Sequence, residues 1–185
     1  MGDRVQALRL FVKAADCINE WVGRGTAWLM LFMVLIAFAV VILRYVFALG
    51  WVWMQESFVW LHGAVFMLGA GYTLLHNGHV RVDIFYREAS HRFKAWVDIL
   101  GVIFLLTPML LVVLYYSQGF VLRSWARLEG SAEAGGLPGL YLLKTIIPIF
   151  CVLMLLQGAS LLARSILILK GDLRYLQQSN LSEAP

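Results

Sequence analysis

The run from Ser57 to Leu75 is apolar for long enough to cross a lipid bilayer, and this constrains the chain more than any single residue does. Three more such runs stand at about 25–43, 95–116 and 140–162. A backbone in hydrocarbon must pair its N–H and C=O groups internally, so runs this long read as helices. Of 185 residues, 61% are hydrophobic and 14% charged, too apolar for the surface of a soluble domain. The expected fold is all-α: a single integral membrane domain over residues 1–185, with four transmembrane helices and short interfacial amphipathic helices.

Before the first run, Met1–Gly25 carries Asp3, Arg4, Arg9, Lys13, Asp16 and Glu20, and no convincing small-residue cleavage site follows. The segment is therefore expected to stay attached rather than act as a signal peptide. Val5, Leu8, Val12, Ala15, Ile18 and Val22 recur at helical spacing, which predicts a short amphipathic helix on the membrane surface. The first span holds no charge. Arg44 and Tyr45 close it, a cation able to snorkel and a ring suited to headgroup depth.

Trp51 and Trp53 form an aromatic collar before the second span. Glu56 is expected to open that helix, where a carboxylate complements the helix dipole, and to reach Arg44 across the linker. Within the span, Gly63, Ala64, Gly69, Ala70 and Gly71 permit close helix approach, by this chain or by another. His62 is costly in a membrane, so a neutral imidazole hydrogen-bonded inside the bundle is expected. His76 and His79 lie in the turn HNGH, with Asp83 beyond them. Three potential ligands without a defined geometry make a weak metal signal, and a polar interfacial turn explains them better.

An interfacial helix is expected over Val80–Lys94, with Ser90 as N-cap of the third span. Asp98 is placed in that span's first turn, and Pro108 is expected to kink it. GSAEAGGLPG, residues 130–139, reads as a flexible loop. In the fourth span Lys144 can snorkel and Pro148 is expected to make a second kink. The tail is expected to fray after Gln178.

The net charge of +4 is explained by topology. With four spans both termini lie on one side. Of the 15 Lys and Arg residues, eleven fall on that side (Arg4, Arg9, Lys13, Arg24, Arg81, Arg87, Arg92, Lys94, Arg164, Lys170, Arg174). The other four are Arg44, Arg123, Arg127 and Lys144. This bias predicts cytoplasmic termini and removes any need for nucleic acid as a partner. Cys17 and Cys151 form no CxxC and read as inert thiols.

Several short motifs, in order, resemble the small membrane subunit, DctQ type, of tripartite ATP-independent periplasmic (TRAP) transporters. They are Arg44-Tyr45-Val46-Phe47, Trp53-Met54-Gln55-Glu56, Gly69, Gly78-His79-Val80-Arg81-Val82-Asp83, Leu137-Pro138 with Tyr141, and Ile147-Pro148. Gln55 stands where that family often has a second acid. The resemblance covers nearly the whole chain. It implies a bacterial inner-membrane protein that is not an enzyme and needs no cofactor. Its implied partners are lipid, a large multi-span permease subunit carrying the substrate and sodium sites, and a periplasmic substrate-binding protein. The small subunit would brace the large one during sodium-driven uptake of an organic acid. Candidate subunit-interface or structural residues are Arg44, Tyr45, Trp53, Glu56, Gly69, His79, Asp83, Pro138 and Pro148.

Two other classes compete. A four-helix b-type cytochrome needs axial histidines from different helices, yet His62, His76, His79 and His91 all lie between Gly50 and Lys94. A stand-alone carrier needs ionisable groups at mid-membrane depth, and only His62 approaches that. The sequence also offers no Walker motif and no nucleophile–base pair.

Overall fold

Residues 2–79 and 89–172 are described by the computed structural model, and among them the fold is entirely helical. The elements are α1 (Gly2–Val46), α2 (Val52–Leu75), α3 (His91–Gly101), a π-helical turn (Val102–Leu106), α4 (Thr107–Ala126) and α5 (Leu140–Leu169). Four stretches are long and apolar enough to cross a membrane: Val5–Val46, Val52–Leu75, His91–Ala126 and Leu140–Leu169. The expected interfacial helix over Val80–Lys94, together with Asp83, lies largely outside the described residues. From His91 the chain is already α3, capped as expected by Ser90, whose hydroxyl accepts the Phe93 N–H at 3.3 Å.

The first helix corrects an expectation. No separate surface helix precedes the first span, because α1 is one rod of 45 residues. At 1.5 Å per residue it is about 68 Å long, more than twice a hydrocarbon core. Its N-terminal half is held by packing. Val12, Ala15 and Asn19 are buried. Of the apolar stripe that looks amphipathic in the sequence, Val12 and Ala15 therefore face protein, whereas Ile18 stays exposed.

The small residues of α2 are used within the chain. A Cβ on Gly71 would stand 2.0 Å from Asn19 Oδ1 of α1 and 3.6 Å from Leu153 Cβ of α5. Across the same contact, a Cβ on Gly23 would stand 2.1 Å from the Tyr72 ring. Here α1 and α2 approach too closely for any larger residue. Leu110, Cys151 and Met154 centre the core, with Ala70, Leu74 and Leu106 packed around them.

Pro108 has no N–H to donate, and its ring crowds the carbonyl four residues before it. The π turn just ahead of it widens the helix, with the Thr107 N–H reaching the Val102 carbonyl, so His91–Ala126 continues without interruption. Pro148 sits inside an α5 that also runs unbroken. Asp98 is two turns into α3 rather than in its first turn, because that helix starts at His91.

Candidate functional site

Each end of the bundle carries a polar clasp. At the end away from the termini, Glu56 lies in the second turn of α2, since the helix begins at Val52. Its carboxylate therefore does not sit on the helix terminus. It accepts the backbone N–H of Leu137 at 2.7 Å and the hydroxyl of Ser131. Ser131 also closes the loop on itself: its N–H donates to the Leu137 carbonyl at 2.9 Å, and its hydroxyl accepts the Glu133 N–H at 3.1 Å. Gly136 is required beside them, because a Cβ there would stand 2.7 Å from Glu56 Oε2 and 2.5 Å from Ser131 Oγ.

This loop, expected to be flexible, is tied at both ends. At its start Leu128 adopts a left-handed conformation, φ 44°. That lets the Glu129 N–H reach back to the Ser124 carbonyl at 3.1 Å, the geometry of a Schellman cap. Glu129 then pairs with Lys144 at 2.5 Å, whose ammonium also lies 4.1 Å from the centre of the Phe120 ring. Lys144 thus has specific partners beyond snorkelling. Its hydrogen bond holds the Glu129 carboxyl below the ordinary value of 4.5. Trp125 Nε1 donates to Thr145 Oγ1 at 2.8 Å, and its ring meets Tyr141 edge-on at 4.6 Å.

At the terminal end, Asp16 of α1 gathers three donors from α5. Gln157 Nε2 lies 3.2 Å and Ser160 Oγ 2.8 Å from its Oδ1, and Arg164 Nη2 lies 2.6 Å from its Oδ2. Asn19 Nδ2 continues the chain to Gln157 Oε1 at 2.9 Å. Farther out, Arg9 donates to Asp172 at 2.6 Å. Beside this network, His76 Nε2 lies 2.8 Å from Glu20 Oε2, joining the end of α2 to α1. Polar side chains of α1, α2 and α5 thereby bond one another where the rods leave the apolar zone.

The residues singled out from the sequence do not form one constellation. Glu56 holds the N–H of Leu137, and Pro138 is the next residue in the chain. Arg44 is exposed beside a crevice lined by Gly50, Trp51 and Gln55, and among the described residues no ion pair joins it to Glu56. Tyr45 and Trp53 point outward, 80% and 46% exposed, as a collar does. Gly69 stands nearer the other end, where a Cβ added to it would lie 3.8 Å from Thr26 Oγ1, and His79 is exposed past the end of α2. Pro148 is half-buried in α5. Sequence reasoning missed Ser131 and the whole Asp16 network. A signal for the latter exists: Gln157, Ser160 and Arg164, spaced by three and four residues, put polar groups on one face of an otherwise apolar helix.

Residues 33–167 match the family model described as tripartite ATP-independent periplasmic transporters, DctQ component. No curated protein and no solved structure matches the chain. The matched stretch covers well over half of the sequence and takes in the loop-end clasp, the second and third apolar helices, nearly all of the fourth and the C-terminal part of the first, and the chain belongs to the DctQ family of TRAP transporter components.

Proposed function

We propose that this protein is the small permease subunit of a TRAP-type secondary transporter in a bacterial inner membrane. It braces a large permease subunit, which takes up an organic acid driven by a sodium gradient and delivered by a periplasmic binding protein. Both termini lie in the cytoplasm, and the loop held by Glu56 faces the periplasm. The chain acts as a single four-span unit and performs no catalysis of its own.

The family match carries this reading. The helices support a bracing role. All four apolar stretches run unbroken, whereas carriers typically build their substrate sites from paired, interrupted helices. The clasps tie α1 to α5 at one end and α2 to the α4–α5 loop at the other, as suits a rigid support.

The test is sodium-dependent uptake in cells expressing the two membrane subunits and the binding protein, with and without this chain. Uptake should be lost without it, while the large subunit is still found in the membrane. Undiminished uptake in its absence overturns the proposal. Reporter fusions at Gly135 should be periplasmic and those at Gly78 and Asn180 cytoplasmic; a periplasmic signal at Gly78 reverses the orientation.

A further inference from the structure

His62 is the eleventh residue of α2, about 15 Å along the axis from Val52 and about 20 Å from Leu75. Within the apolar run Ser57–Leu75 it stands about 8 Å from the Ser57 end, inside the apolar zone but nearer its loop-end boundary. It is not inside the bundle, where a hydrogen-bonded imidazole was expected. It is exposed on the outside, with no hydrogen-bond partner among the described residues. It borders a groove between α1 and α2 whose other walls are apolar, among them Val34, Phe38, Phe58 and Val59. Val34, Phe38 and Val59 are each more than half exposed.

An ionisable side chain at this depth requires protein or water. Acyl chains fill an apolar groove but offer an imidazole nothing to bond. The outer face of the α3–α4 rod makes a useful contrast. Phe104 and Leu105 are 68% and 73% exposed, and Val102–Leu114 contains no ionisable residue. Lipid alone suits that face. The small residues of α2 are already taken up by α1 and α5, so the groove, rather than the glycine-rich face, remains for a partner.

We propose that a membrane helix of the large permease subunit docks in the groove between α1 and α2 and presents a hydrogen-bonding side chain to His62 within the apolar zone. The proposal rests on the subunit reading above and assigns its contact surface. Phe38 and Val59 supply apolar walls on either side, and His62 fixes the depth and register of the incoming helix.

The experiment places a benzophenone photo-crosslinking residue singly at Phe38, Val59, Phe104 or Leu105, in membranes from cells expressing all three components. Phe38 and Val59 should give adducts with the large subunit, and Phe104 and Leu105 should not. His62→Leu should lower the adduct yield from Val59 by roughly threefold to tenfold, the size of one interhelical hydrogen bond in a membrane, and His62→Gln should retain most of it. Adducts only from Phe104 and Leu105, only lipid adducts or dimers of this chain from Phe38 and Val59, or an unchanged yield in His62→Leu, would each overturn the assignment. Affinity capture of the unmodified chain in mild detergent separates the two levels. Recovery of the large subunit without groove adducts refutes the groove alone, and failure to recover it refutes the subunit reading as well.

Discussion

The carboxylate of Glu56 accepts a hydrogen bond from the backbone N–H of Leu137, 2.7 Å away and 81 residues on in the chain. A backbone partner means that Glu56 fixes the path of a loop. An ion pair with Arg44 would only have fastened two neighbouring helix ends. The same carboxylate takes the Ser131 hydroxyl, so a single side chain holds both strands of the turn that leads into α5.

Glu56→Ala should therefore free the 128–139 loop. Hydrogen bonds to a charged acceptor contribute ~1.5–3 kcal/mol each, and the loss leaves the Leu137 N–H without its partner. Glu56→Gln, which keeps one acceptor oxygen, should be milder, and Arg44→Ala should leave the loop as it is. Hydrogen exchange of the loop amides in the purified complex checks all three. Equal protection in Glu56→Ala and the parent chain counts against the clasp.

The Asp16 network should behave as a unit. Asp16→Ala leaves Gln157, Ser160 and Arg164 facing a missing acceptor, and the Arg164 side chain is only 21% exposed. A loss of about 2–4 kcal/mol is expected, below the full cost of a buried pair because both partners retain some exposure. Thermal unfolding of Asp16→Ala, Arg164→Ala and the double variant measures it. The double variant should lose less than the sum of the two single losses.

Glycine positions in the helices should split by what surrounds them. Gly71→Ala and Gly23→Ala force a Cβ into Asn19 and Tyr72, and overpacking of this kind costs ~1–3 kcal/mol. Gly25→Ala and Gly101→Ala meet nothing within 4 Å and should stabilise by up to ~1 kcal/mol through helix propensity. Unfolding temperatures of the four variants in one detergent compare them directly; the same sign for both pairs would refute the packing described between α1 and α2.

The Glu129–Lys144 pair should make the loop end sensitive to acid. Lys144 lowers the Glu129 carboxyl from its ordinary value of 4.5. A group depressed in the folded state stabilises the fold above its unfolded value and loses that contribution as pH falls through its folded value. The difference in unfolding temperature between the parent and Glu129→Gln should thus be constant from neutral pH down to about 4.5 and shrink below it. A difference that grows on acidification contradicts the assignment.

The sequence by itself determined four apolar helices, the aromatic collar, the Ser90 cap and the family. These follow from local properties: hydrophobicity over about 20 residues decides whether a segment enters lipid, and cap and collar residues act within a turn of their own position. Only the tertiary structure decided who holds whom. Glu56 was legible as a carboxylate near a helix start, but its partner depended on the loop that folds back over α2. The stripe of Val5, Leu8, Val12, Ala15, Ile18 and Val22 looked the same whether it faced headgroups or protein, because periodicity records an apolar face and not what covers it. Likewise the glycines of α2 announced close contact without naming Asn19 and Leu153, and His62 announced a polar group at depth without telling inside from outside. Those choices depend on how the rods are arranged around one another, with contacts 138 to 148 residues apart in the terminal clasp, and no local pattern encodes that separation.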